Sequence, residues 1–248
     1  MRLRLLAIAA LLALPLAAQD DSAARWRIGL GLGGGTLDYE NDGGVGDSAS
    51  AGAFRLGFEG TSRRGFGGGL RIESFAGSDL RPGGGADDYD VGFGSLFGHF
   101  TYRLQQHRFA MPIRFGLLAN ALTLDNTTTS VSDETSFSTV GLLAEIAPEF
   151  TLVRGASSAW TLYGEFGLGG GSTMIEADGT SEDWDSTTTM SGVELGSRVY
   201  LGACELSVAY VGRWQSMDQT DPGDLGGPSL PGYDASFHGV MFGVAVVF

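Results

Sequence analysis

The sequence predicts an all-β fold, ten antiparallel strands closed into a transmembrane β-barrel, and three observations carry that expectation. Apolar and aromatic residues recur at every second position through ten segments, which is the period of a strand with one apolar face. The segments are joined by connections that alternate between short and long, as in an up-and-down barrel with tight turns at one end. Aromatic residues collect at the short-connection end of strand after strand, where amphipathic rings favour a membrane–water boundary.

Ahead of the strands stand Arg2 and Arg4, an apolar run over 5–16, then Ala17 and Ala18 before Gln19, Asp20 and Asp21. A basic start, a short apolar core and small residues at its end are expected of a secretory signal at 1–18, cleaved after Ala18, leaving 19–248 as one barrel domain. Cys204 is the single cysteine, so neither a lipid anchor at the cleavage point nor a thiolate metal site is expected. All 15 basic residues are arginine and the formal net charge is −14, which argues against nucleic acid or an anionic surface as a general partner. Glycine is abundant, at 41 residues, yet the period of two persists between the glycines, which a disordered tract would not show.

The strands are expected at 25–35, 52–60, 64–75, 90–104, 109–123, 138–153, 159–173, 189–202, 204–216 and 236–248. An even count leaves both chain ends on one side. Short connections fall at 61–64, 105–108, 154–158 and around Ala203; long ones fall at 36–51, 76–89, 124–137, 174–188 and 217–235. The first three strands turn outward Trp26, Ile28, Leu30 and Leu32, then Phe54, Leu56 and Phe58, then Phe66, Leu70 and Ile72. The fifth gives Phe109, Met111, Ile113, Phe115 and Leu117; the seventh Trp160, Leu162, Phe166 and Leu168; the eighth Val193, Leu195, Val199 and Leu201; the ninth Leu206, Val208, Tyr210 and Trp214. In the fourth, Phe93 and Phe97 have the opposite parity to Leu96, Phe100, Tyr102 and Leu104, and a bulge would reconcile them. Trp26, Phe58, Phe66, Tyr102, Phe109, Phe150, Trp160 and Phe248 form an interfacial girdle at the short-turn ends.

Inward parity collects Arg27, Arg55, Glu59, Arg71, Glu73, Arg103, Arg114, Glu145, Glu149, Glu165, Glu194, Arg198, Glu205 and Arg213. This candidate site is a charged belt of the lumen, balanced between arginine and glutamate, and guanidinium suits it because its planar fork can hold a carboxylate through two bonds. One expectation is a salt-bridged core that fills a narrow lumen. The other is a selectivity region lining a narrow pore, with arginines of the first five strands facing glutamates of the sixth to eighth. Inward glycines at Gly29, Gly31, Gly33, Gly167, Gly169, Gly171, Gly192, Gly196, Gly239 and Gly243 suggest either a widened outer vestibule or relief of strain where a small barrel bends.

The final segment, 236–248, reads SFHGVMFGVAVVF. With Gly243, Val244, Val246 and Phe248 in alternating register, it resembles the terminal strand by which bacterial outer-membrane β-barrels are recognised for insertion, although Met241 stands where a polar residue is usual. The resemblance implies an outer-membrane location with both termini and the short turns periplasmic and the long loops extracellular. It implies outer-membrane lipid, lipopolysaccharide and the barrel-assembly machinery as partners, and no cofactor. The long loops hold acids such as Asp38, Glu40, Asp42 and Asp47, Asp87, Asp88 and Asp90, Asp133 and Glu134, Asp178, Glu182, Asp183 and Asp185, and Asp218 and Asp224. The short turns hold Arg63, Arg64, Arg108 and Arg154. Carboxylates at the lipopolysaccharide surface could share divalent cations, for which oxygen ligands are suited; the plainer expectation is that acidic loops are simply soluble.

Ten-stranded barrels include the omptin family of outer-membrane proteases, and resemblance to it would imply paired aspartates with an aspartate–histidine pair at the outer rim. Asp88 and Asp90 supply an Asp-x-Asp, but the loop with Asp183 and Asp185 has no histidine. Of His99, His107 and His238, only His238 is expected near the rim, beside Asp234 and Ser236. Enzymatic chemistry is therefore not expected, with an omptin-like protease or a lipid hydrolase on Ser236 and His238 as minor alternatives. The expected role is envelope structure or narrow passive permeation through a charge-lined lumen; the alternative is an adhesion or receptor barrel binding through its acidic loops.

Overall fold

The computed structural model describes residues 25–81, 87–128, 134–177, 183–222 and 227–248. The expected signal segment and the loop acids Asp133, Asp178, Glu182 and Asp224 lie outside the described residues. The strands are β1 (Arg25–Asn41), β2 (Gly46–Thr61), β3 (Phe66–Leu80), β4 (Tyr89–Gln106), β5 (Phe109–Asn126), β6 (Glu134–Ile146), β7 (Glu149–Arg154), β8 (Ser158–Ala177), β9 (Asp183–Leu201), β10 (Cys204–Met217) and β11 (Tyr233–Val247). Each pairs antiparallel with its neighbours, and β1 pairs with β11 from Arg27↔Val247 to Asn41↔Tyr233, closing the ring. Trp26 and Phe248 seal it with reciprocal N–H···O bonds of 2.7 and 2.9 Å. Closure leaves no sheet edge to be satisfied in hydrocarbon.

β6 and β7 both lie between β5 and β8, so they are two lengths of one stave and the barrel has ten staves. The expected strand 138–153 runs through both. It is interrupted because Pro148 has no N–H to donate, and Pro112 on the facing β5 has none either. The backbone is satisfied around the break: Ala147 N–H donates to Pro112 O at 2.8 Å and Gly164 N–H donates to Pro148 O at 2.9 Å. Beyond the break, β5 and β7 pair only at Phe109↔Phe150 and Ala110↔Glu149.

The outward apolar band is where alternation puts it. Leu32, Phe115, Leu117, Leu168 and Phe242 are among the most exposed large hydrophobic residues, the reverse of a water-soluble fold. β4 departs from expectation. Its register against β5 runs unbroken from Tyr89 to Gln106, and against β3 it shifts only between Gly77 and Leu80. No bulge reconciles Phe93 and Phe97 with the lipid face. Both point inward: Phe97 is 1% exposed, and Phe93 packs on Phe75 at 5.7 Å between centroids.

The strands also run well past their expected ends, taking in much of what was expected as long loops at 36–51, 76–89, 124–137, 174–188 and 217–235. Above the membrane the two faces exchange character. Outward positions become Thr36, Asp38 and Glu40 on β1 and Ser48 and Ser50 on β2, while inward positions become Leu37, Ala49, Phe75, Leu122, Phe137, Ile175 and Phe237. These inward residues form the main buried cluster and fill the long-connection half of the lumen. The widened vestibule is thereby overturned. Several of its glycines serve the wall instead: a Cβ at Gly33 would overlap the carbonyl oxygen of Val240 on β11, and one at Gly171 that of Val140 on β6, so these positions let neighbouring strands coil closely together.

Candidate functional site

The charged belt is assembled in the short-turn half of the lumen, and every one of its fourteen residues is in an ion pair. Nearest the turns, Glu149 on β7 is held by Arg103 on β4 at 2.9 Å and by Arg198 on β9 at 2.7 Å. Glu205 on β10 is gripped by Arg27 at 2.7 Å. Higher up, Glu73 holds Arg55 at 2.5 Å and Arg213 at 3.0 Å, and Glu165 holds Arg71 at 2.6 Å and Arg114 at 2.7 Å. Glu145 also binds Arg71, Glu59 binds Arg114 at 2.9 Å, and Glu194 binds Arg55 at 2.7 Å. The arginines of β2, β3 and β5 thus do meet glutamates of β6, β8 and β9. They meet at contact distance, interleaved with Glu59, Glu73 and Arg213, so charge is cancelled locally.

Other lumen residues join the belt: at its foot Arg25 Nη2 donates to the Tyr200 hydroxyl at 2.8 Å, and Tyr163 and His99 lie within it. The Tyr163 hydroxyl donates to Glu194 Oε1 at 2.6 Å, and the Arg198 guanidinium lies 3.6 Å from the Tyr163 ring centroid, tying the lower ion pairs to the upper ones. His99 stacks on Phe97 at 4.8 Å, and neither of its buried ring nitrogens has a protein hydrogen-bond partner. Both residues share the parity of their charged neighbours, which is the signal by which they could have been found. Within the belt, a cavity of about 70 Å³ is bordered by Arg27, Glu59, Arg71, His99, Arg114 and Glu165, space for a few water molecules.

Above the belt a polar layer gives way to the apolar fill. Asn120 donates to Gln215, and Gln215 donates to the Tyr233 hydroxyl. Thr139 and Thr173 are bonded at 2.6 Å. Then come Phe75 stacked on Phe237 at 4.2 Å and Phe137 edge-on to Tyr233 at 4.8 Å. Phe75, Leu80, Leu122 and Ile175 are 0% exposed.

The residues considered for rim chemistry are engaged separately. Asp88 is clasped by Arg81, whose Nη2 lies 3.2 Å from Oδ2, and this hydrogen-bonded cation holds the carboxyl below the usual aspartate range. Asp47 is likewise held low, first by the Arg81 backbone N–H donated to it at 2.6 Å. Asp90 faces Asp125 across β4 and β5. Ser236 Oγ donates to Asp38 at 3.4 Å, whereas His238 Nδ1 is bonded to the Tyr210 hydroxyl at 2.8 Å with Trp214 edge-on at 5.0 Å. Among the described residues no three His, Cys, Asp or Glu side chains converge as a metal site would require. In the terminal strand, Val244 faces the lipid side and Gly243 lies opposite Gly31 and Ser207.

No family model matches the chain, and no curated protein matches it. Solved structures similar to it include the outer membrane protease OmpT from Escherichia coli, with a TM-score of 0.48 and 11% identity over 91% of this chain and 96% of that one. The translocator domain of autotransporter NalP from Neisseria meningitidis gives 0.44 and 11% over 98% and 93%. The Pseudomonas putida toluene transporter TodX gives 0.36 and 11% over 96% and 93%.

Proposed function

We propose that this protein is an outer-membrane barrel of envelope-structural type, closed to permeation and without covalent chemistry. The observation that carries the reading is the filled lumen. A belt whose fourteen charges are all paired is capped by fully buried Phe75, Leu122 and Ile175. A conducting path needs a continuous column of water, and the apolar half, where these side chains are fully buried, excludes one. The test is conductance of the refolded protein in a planar bilayer. The expected result is no steady conductance; a steady current altered by Arg55→Ala and Glu165→Ala would overturn the reading in favour of a belt-lined pore.

A second role, binding through the outer surface, draws support from the height of the wall. β8 has 20 residues, roughly 66 Å of strand at about 3.3 Å per residue. Tilted by about 40°, that is on the order of 50 Å along the axis, about twice an apolar band of ~25 Å. The excess presents Asp38, Glu40, Ser48 and their neighbours to solvent. Deleting the β1–β2 hairpin tip should abolish binding to a cationic or cation-bridged surface while the barrel remains folded; unchanged binding would remove this role.

A further inference from the structure

We propose that the cavity inside the charged belt is a binding site for a single halide ion, held by the Nε–H groups of Arg71 and Arg198 and by a ring N–H of His99. The cavity measures about 70 Å³, and all three residues border it together with Arg27, Arg55 and Gly57. Glycine helps to make the room: a Cβ built on Gly57 would meet nothing within 4 Å.

The donors that border the cavity are those the ion pairs leave over. On Arg71 both Nη atoms are taken, Nη1 by Glu165 and Nη2 by Glu145. Its buried Nε has no hydrogen-bond partner in the protein and lies 3.8 Å from Glu73 Oε2. On Arg198, Nη1 is taken by Glu149, and the buried Nε, likewise unbonded, lies 3.6 Å from Glu205 Oε1. Both separations exceed a hydrogen-bond reach of about 3.2 Å. The His99 ring is set by its stack on Phe97 at 4.8 Å, and both of its nitrogens are buried and unbonded. Either neutral tautomer therefore keeps one N–H to donate.

These leftovers select the ligand. They are single N–H groups on three different strands rather than the paired donors of a guanidinium fork, so they suit a spherical ion better than a planar carboxylate. Five guanidiniums stand against three carboxylates in the lining, and Glu59, Glu165 and Glu194 are each already paired with arginine. A cation finds no vacant acceptor set there. An N–H on a cationic group bonds an anion about twice as strongly as a neutral acceptor, which favours a halide over the water of similar size, ~30 Å³, that the space also admits.

The test is urea unfolding of the refolded full chain in bromide against gluconate, an anion too bulky for the cavity, at constant ionic strength. An ion that binds only the folded barrel raises the midpoint with its concentration by mass action, so wild type should show a rise that follows one-site binding. His99→Phe keeps a ring on Phe97 and removes the N–H; it should weaken the fitted bromide affinity about tenfold, the loss of one hydrogen bond to a charged group. Gly57→Leu, which fills the cavity, should abolish the rise. Leu122→Ala, in the apolar half, should lower the midpoint and leave the bromide rise unchanged. Crystals grown in bromide should show an anomalous peak inside the cavity. Equal rises in wild type and His99→Phe would overturn the proposal as a general salt effect, and so would a rise that survives in Gly57→Leu. A cavity without an anomalous peak would overturn it in favour of water alone. If Gly57→Leu does not refold, the His99→Phe ratio and the anomalous peak decide.

Discussion

The two halves of the barrel are built on opposite plans. In the short-turn half the wall is apolar outside and charged within, and in the long-connection half it is polar outside and apolar within. The solvent decides. Where hydrocarbon surrounds the wall, outward apolar side chains lose nothing and the inside is left to polar pairs. Where water surrounds it, the hydrophobic effect drives the same strands to bury apolar residues centrally, as in any soluble β-barrel. The exchange occurs with no break in register on β1, where Leu30 and Leu32 face outward and, a few residues on, Leu37 faces inward. One continuous strand therefore serves two solvents.

The comparison is broken most severely by removing an anion from the belt. Glu73→Ala leaves Arg55 and Arg213 without their shared carboxylate and should destabilise the barrel by about 3–5 kcal/mol, read from the urea midpoint of the refolded protein; a loss near zero would mean the belt is hydrated like a channel. Leu122→Ala in the apolar half should cost about 2–5 kcal/mol by leaving a cavity, in the same assay. The outward faces separate the halves more sharply. Leu117→Arg, in the apolar band, should cost about 2–4 kcal/mol, whereas Thr36→Arg, above it, should cost about 0–1 kcal/mol; equal costs would place both in one solvent. The smallest effect is at the long-connection rim. The Asp88 and Asp47 carboxyls are held below their ordinary range, so their contribution is present above the ordinary aspartate value of about 4. It is lost as pH falls through their lower folded values. Loosening of the Arg81 clasp should appear as faster proteolysis at the long-connection end only below about pH 4, and Arg81→Ala should remove the Asp88 part of that dependence while leaving the Asp47 part, whose backbone N–H donor it keeps.

Alternation made the membrane half legible, because its inward and outward sets differ in both charge and hydropathy. The belt followed from parity alone, and all its members are paired in the structure. The bulge expected in β4 is unnecessary, because the parity that Phe93 and Phe97 share with His99 and Arg103 already places them inside. The strand extensions were missed because, with Ser, Thr and Asp outward, the alternation of Leu37 and Tyr39, or of Leu122 and Leu124, no longer resembled a lipid-facing pattern. Tyr163 carries no formal charge, so the pairing of charge with parity does not single it out. The break at Ala147–Pro148 was visible as a proline and was read through because both flanks keep one parity.

The seal between Trp26 and Phe248 has a kinetic consequence. The pairing of β1 with β11 joins residues separated by nearly the whole chain, and contacts of such separation are slow to form because the intervening segment must be ordered before they give any return. Until that seam zips, each edge exposes a ladder of unpaired amides that hydrocarbon cannot solvate. A half-assembled sheet thus has no resting place in the bilayer interior, and insertion and ring closure are bound into a single cooperative event.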